Sequence, residues 1–265
     1  MAHDPFRDAI DPTLPRAALV TGAGQRLGRA MARALAAAGF AVGIHCHASR
    51  DAAAETLAMI EAAGGRGAVL AADLAEEAAL PALIGAAEAA LGPLGVLVNN
   101  ASRFERDEWD DASRASWDAH LEPNLRAPFV LIQEFARRLP PGARGVVVNM
   151  LDQRVWSLTP HFVSYTLSKA GLWALTQSMA LALAPAIRVN AIGPGPALPS
   201  PRQDAASFAR QAASVPLGHG TGEAEVARAL LAILALPSMT GQMIALDGGQ
   251  HLQWSPAGRT PPLEE

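Results

Sequence analysis

This chain of 265 residues carries one cysteine, Cys46, so an internal disulfide is impossible and a reducing, cytoplasmic setting is expected. It has no block of Lys or Arg, and its formal net charge is −4, which argues against a nucleic-acid partner. No apolar run is long enough to be read as a membrane span. The stretch from Ala170 to Ile187 is interrupted by Gln177, Ser178 and Pro185 and reads as a buried helix. The start of the chain lacks a basic segment followed by an apolar one, so residues 1–15 read as a flexible arm and not a secretory signal. Tyrosine occurs once, as Tyr165, and of the 21 Lys and Arg residues only Lys169 is a lysine. The remainder, half hydrophobic and 17% charged, suits one well-packed domain of ordinary length.

The two singletons lie four residues apart, and on a helix that spacing puts them on one face. A phenol has an unperturbed pKa of about 10 and is a poor proton donor near neutrality. An ammonium beside it stabilises the phenolate and lowers that value. The ammonium is also a compact donor that can hold a ribose hydroxyl, which a planar guanidinium does less well. Alone, Tyr-x-x-x-Lys is a weak motif and is equally compatible with a surface Tyr beside a solvated Lys.

The rest of the chain supplies a frame for the pair. Ala17 to Val20 is a short apolar run that enters Thr21-Gly22-Ala23-Gly24-Gln25-Arg26-Leu27-Gly28, and a helical pattern follows to Ala38. Glycines between a strand and a helix let backbone approach a pyrophosphate, which the helix N-terminus also favours. Further strands are expected at 41–45, 68–72, 96–100, 145–150, 187–192 and 243–246. Between them, helices are expected at about 49–63, 76–91, 115–139, 204–213 and 223–236, with a further helix that carries Tyr165 and ends near Pro185. In the 115–139 segment Pro123 and Pro128 are irregularities. Alternating strands and helices with continuous Val, Ile, Leu and Ala runs predict an α/β fold: a single doubly wound domain over 16–250 with a mostly parallel seven-stranded sheet. Residues 251–265 read as a C-terminal tail, and about 196–215 as the loop that shapes a substrate pocket.

Several short motifs now stand at mutually consistent places: Thr21-Gly22-x-x-x-Arg26-x-Gly28, Asp73, Asn99-Asn100-Ala101, Asn124, Tyr165-x-x-x-Lys169 and Pro194-Gly195. Together they resemble the short-chain dehydrogenase/reductase family from about Ala17 to Gly249. The resemblance implies a single Rossmann domain, a proton donor or acceptor at Tyr165, a ribose-holding Lys169 that lowers the Tyr pKa, and an Asn124 that supports a proton-relay water. It further implies cofactor contacts from Gly22, Leu27, Gly28, Asn100, Ala101, Ser102, Lys169, Pro194 and Gly195, with Asp73 and Leu74 near the adenine ring. Asp73 also reads as an N-cap for the helix that follows it.

One departure points to a branch of the family. Thirteen residues before Tyr165, where most members have Ser, stands Asp152. Arg26 replaces a usual Gly, the second strand ends in Ile44-His45-Cys46-His47-Ala48-Ser49, and Asn100-Ala101-Ser102-Arg103-Phe104 replaces Asn-Ala-Gly. These resemble the pteridine reductases and dihydromonapterin reductases, in which the Ser contacts a pterin and the Phe stacks on it. That resemblance puts Ser102, Phe104, Asp152 and Tyr165 against a substrate. Ala48 departs from it, because Arg is usual there and Arg50 is displaced.

Cofactor choice follows from charge. No Asp or Glu occurs from Ala41 to Arg50 to bind a ribose 2′-hydroxyl, whereas Arg26, His47, Ser49 and Arg50 offer donors to a 2′-phosphate. NADPH/NADP+ is therefore expected, with reduction as the direction. His45 and His47 on alternate strand positions do not converge on one ion, and no metal is expected. The expected activity is NADPH-dependent reduction of a pterin-like or folate-like C=N substrate. The alternatives are a generic carbonyl reductase and a non-catalytic dinucleotide-binding protein. The only other expected partner is a second copy of the chain, as homodimer or homotetramer.

Overall fold

The computed structural model describes residues 5–199 and 203–253. Its strands are β1 (Ala17–Val20), β2 (Ala41–Cys46), β3 (Arg66–Ala71), β4 (Leu94–Asn99), β5 (Gly145–Met150), β6 (Ile187–Pro194) and β7 (Met243–Leu246). They form one sheet in the order β3-β2-β1-β4-β5-β6-β7, with every pairing parallel. The helices are α1 (Pro5–Ala9), α2 (Arg26–Ala37), α3 (Arg50–Ala62), α4 (Leu80–Leu91), α5 (Arg114–Leu121), α6 (Ala127–Arg138), α7 (Val163–Leu183), α8 (Ala205–Ala213) and α9 (Glu223–Ala235).

The apolar runs of the central strands bury both faces, as a parallel sheet between helix layers requires. Side chains alternate across the pleat, so one run feeds two cores. Val96, Val98, Val146 and Val148 pack with Met31 and Leu35 of α2 and Leu230 of α9. Leu97, Val147 and Val189 face the other way, against Ile84 of α4 and Leu131 and Phe135 of α6. The strand order reverses at β1, whose neighbours are β2 and β4. A crevice opens at the carboxyl ends of strands at such a point, and Thr21, Asn100, Leu151 and Gly195 each follow one of those strands.

Two expectations change. The N-terminal segment is not a free arm: residues 5–9 form α1, and Ile10 and Leu14 are buried in the core beside α2 and α9. Two apolar side chains among polar neighbours gave no periodic signal, yet they find an apolar face to cover. The long helix expected at 115–139 is interrupted by a π-turn at Glu122–Arg126 between α5 and α6. Pro123 and Pro128 donate no N–H, so the regular ladder cannot continue through them. Residues 200–202 of the expected substrate loop and 254–265 of the expected tail lie outside the described residues.

Candidate active site

The glycine turn is built by three anchors. Gly22 adopts φ 63°, a conformation that glycine takes without strain. The side chain of Asn100 donates to the carbonyls of Thr21 (2.8 Å) and Gly22 (3.1 Å), and the Thr21 hydroxyl accepts from the amides of Asn100 and Ala101. On the other side, His45 Nδ1 accepts from the Gly22 amide at 3.2 Å while Nε2 faces the Ala72 carbonyl at 3.1 Å. Burial holds the His45 pKa down at about 4, so the ring is neutral and its two nitrogens can fill opposite roles. Gly28 closes the turn, since a Cβ there would lie 2.2 Å from the Gly22 carbonyl oxygen. Bare backbone and the N-terminus of α2 are the cradle a pyrophosphate requires.

Beyond β2, exposed His47 lies 3.6 Å from half-buried Asp73, and exposed Ser49 follows His47 by two residues. Asp73 also caps its own turn by accepting from the Ala75 amide at 2.9 Å, and Leu74 is buried against α4. Arg26, at the start of α2, bonds through its guanidinium the carbonyls of Pro199 (2.9 Å) and Leu198 (3.4 Å). It lines a cavity of about 150 Å³ together with Phe104 and Asp152.

Helix α7 brings the two singletons to the end of β5. Tyr165 and Lys169 are both buried. The Tyr165 hydroxyl donates to Asp152 Oδ2 at 3.0 Å, and Lys169 Nζ donates to the Met150 carbonyl at 2.8 Å and lies 5.8 Å from the Tyr165 ring centre. Burial lowers the Lys169 pKa to about 8, against the smaller opposing pull of Asp152, so it remains mostly an ammonium at neutral pH. Asp152 Oδ1 accepts from the Arg154 amide at 2.8 Å, which fixes the carboxylate as the cap of a short 3-10 turn.

The segment after β4 is stitched to α5 and α7 by side chains. Asn124 Oδ1 accepts from the Arg103 amide (2.8 Å), and its Nδ2 donates to the Arg103 carbonyl (2.9 Å) and to Ser168 Oγ (3.1 Å). Both amide hydrogens are thus committed, and the side chain clamps the Arg103 backbone to Ser168 of α7. His120 Nε2 accepts from the Glu105 amide at 3.0 Å. Asp107 accepts from the Ser164 amide at 3.1 Å and from the Ser164 hydroxyl at 2.5 Å, so a distant carboxylate caps α7. Between these clamps Phe104 stacks on Phe162 (centres 4.7 Å apart, planes at 12°) and meets Tyr165 edge-on at 4.6 Å. Phe104 therefore has one face already covered, yet it still borders the cavity. Ser102 stays exposed, its hydroxyl 3.3 Å from the Arg103 carbonyl. Gly195 donates to the Leu246 carbonyl, just after Pro194 ends β6.

Three contributors gave no signal in the sequence: Asp107 and His120 lie in unremarkable polar stretches, and Arg154 follows Asp152 like any solvated arginine. Their roles depend on residues that are far away along the chain.

A profile of the family described as short chain dehydrogenase matches residues 16–208. The chain belongs to the short chain dehydrogenase family. Among solved short chain dehydrogenase structures, it is similar to FolM alternative dihydrofolate reductase 1 from Brucella canis, complexed with NADP. That structure shares 43% identity and a TM-score of 0.90, over 94% of this chain and 100% of that one. The FolM alternative dihydrofolate reductase 1 from Brucella suis, also with NADP, shares 45% identity and a TM-score of 0.88, over 91% and 97%. Among curated family members, the 3beta-hydroxysteroid dehydrogenase 1 of Eggerthella lenta is 35% identical over 88% of this chain and 93% of its own length.

Proposed function

We propose that this short chain dehydrogenase is an NADPH-dependent reductase of a pterin-like or folate-like C=N substrate. The observation that carries the reading is Asp152 hydrogen-bonded to Tyr165 within the cavity that Phe104 borders. A carboxylate accepts from the amino group and ring N–H of a pterin edge, whereas a ketone oxygen offers it no donor and is repelled by it. The glycine cradle closed at Gly28 fits a dinucleotide pyrophosphate, and the β2 end offers His47 and Ser49 in place of a carboxylate. When bound, the nicotinamide supplies the hydride. Tyr165, with Asp152 against its hydroxyl, delivers the proton to the ring nitrogen, and Lys169 supplies the ammonium that favours loss of the phenolic proton. Two FolM neighbours bound to NADP support the cofactor and the branch. An apolar groove lined by Leu121, Leu125, Phe129 and Leu175 on α5–α7 supports a homodimer or homotetramer.

The test is a panel of dihydropterins, dihydrofolate and simple ketones followed by NADPH absorbance, in wild type and Asp152→Ser. Wild type is expected to favour dihydropterins, and the substitution to lower the dihydropterin-to-ketone ratio at least about tenfold, in line with a lost charged hydrogen bond of roughly 1.5–3 kcal/mol. A wild type that prefers ketones, or an unchanged ratio, replaces this reading with a carbonyl reductase.

A further inference from the structure

Arg154 lies two residues beyond Asp152 and is among the most buried charged groups of the described chain, at 5% exposure. A guanidinium is costly to take out of water unless charge and donors are matched around it. Here Nη1 donates to Thr159 Oγ1 at 2.8 Å, and Nε stands 3.9 Å from Asp152 Oδ2, the oxygen that Tyr165 addresses. The flat cation also lies over the Phe162 ring at 4.9 Å and the Phe104 ring at 5.8 Å. One side chain thus touches the carboxylate, the aromatic wall and the cavity. Because the Arg154 backbone amide already holds Oδ1, the side chain adds its charge at the oxygen on the Tyr165 side.

We infer that Arg154 is a positioning residue for the Asp152–Tyr165 pair: its buried charge holds Asp152 Oδ2 against the tyrosine hydroxyl, and its flat face sets the Phe104–Phe162 wall. Through Asp152 it offsets the negative charge that Tyr165 would otherwise meet on ionising. Among the described residues, the groups facing Tyr165 include Asp152 from the end of β5, Lys169 on its own helix, the His120 ring of α5 at 6.2 Å, and the uncharged Phe104. Arg154 acts on this set through Asp152 Oδ2, the oxygen it shares with Tyr165. The inference concerns the pair alone and holds whichever substrate is reduced.

Tyr165 is the only tyrosine, so the ultraviolet phenolate band of the whole protein reports this one group. The experiment is a spectrophotometric pH titration of wild type, Arg154→Gln, Arg154→Lys, Asp152→Asn and the Arg154→Gln/Asp152→Asn double variant, with circular dichroism as the check on folding. Arg154→Gln is expected to raise the phenolate midpoint by about one pH unit, the effect of a nearby cation removed. Arg154→Lys should restore most of it, and Asp152→Asn should lower it. In the Asp152→Asn background the Arg154→Gln shift should shrink by at least about half, because the two sites are coupled. An unmoved midpoint in Arg154→Gln, an equal shift in Lys and Gln variants, or an equal shift in both backgrounds would overturn the inference. Should Arg154→Gln fail to fold, Thr159→Val removes one anchor of the guanidinium with its charge intact. It is expected to give a smaller rise, and no rise would count against the inference.

Discussion

At the scale of single residues, the site concentrates groups whose protonation depends on burial. Tyr165→Phe removes a hydroxyl and little else, so cofactor affinity measured by fluorescence titration should persist. Turnover should fall by about a hundredfold or more, as general acid catalysis typically contributes 10²–10⁴-fold. Lys169→Arg keeps a charge but not a compact one. A buried site with Nζ 2.8 Å from the Met150 carbonyl leaves a planar fork no equivalent place, so kcat should fall severalfold or more. If that variant works at a near-normal rate, the solitary lysine is an accident of composition. His45 gives a pH prediction. Its folded pKa, about 4, lies below the ordinary 6.5. As pH falls from 6.5 toward 4, the unfolded chain takes up a proton that the native ring refuses, so stability drops across that window. Urea midpoints measured through it should fall in wild type and flatten in His45→Asn, which cannot titrate.

At the scale of elements, backbone geometry decides more than side-chain chemistry. The first turn of α2 comes so close to the glycine turn that a methyl at position 28 would meet the Gly22 carbonyl at 2.2 Å and Asn100 Nδ2 at 2.7 Å. Neither is the loose end of a side chain, so Gly28→Ala must push the helix and turn apart. We expect NADPH binding, followed by nicotinamide fluorescence, to weaken by at least about tenfold, equivalent to about 1.4 kcal/mol. An unchanged Kd would mean that this turn does not cradle the cofactor. The segment carrying Phe104 is fixed differently, by Asn124 of the π-turn, by His120 of α5 and by its own Asp107, which accepts from Ser164 of α7.

At the scale of the whole molecule, two cores lie on either side of one parallel sheet, and the N-terminal segment completes one of them. Ile10 and Leu14 are 4% and 2% exposed and pack with the α2–α9 layer. Replacing either with Ala should cost about 2–5 kcal/mol, the usual range for a large aliphatic group lost from a core. Chemical denaturation checks this: a loss near zero for both would restore the reading of residues 1–15 as an arm.

Strand-and-helix alternation, the glycine turn and the Tyr165/Lys169 pair were legible in the sequence because their signals are local. Apolar runs of Val, Ile and Leu mark doubly covered strands such as Gly145–Met150, which matches its expected bounds. Four-residue spacing sets a helix face wherever the helix ends up. Asp152 was legible too, as a departure at a fixed distance from Tyr165, and its bond to that hydroxyl follows from α7 packing beside β5. Other outcomes needed the folded chain. Arg26 and His47 both read as phosphate donors, but the folded chain brings the Arg26 guanidinium to the backbone of Leu198 and Pro199, which no local signal marks. Phe104 finds Phe162 across 58 residues, Asp107 caps a helix 56 residues later, and Arg154 meets the Phe104 ring from 50 residues away. Periodicity and composition sense neighbours along the chain. The burial that makes His45 neutral and lowers Lys169 is a property of what surrounds a group in space, and only the packed structure decides that.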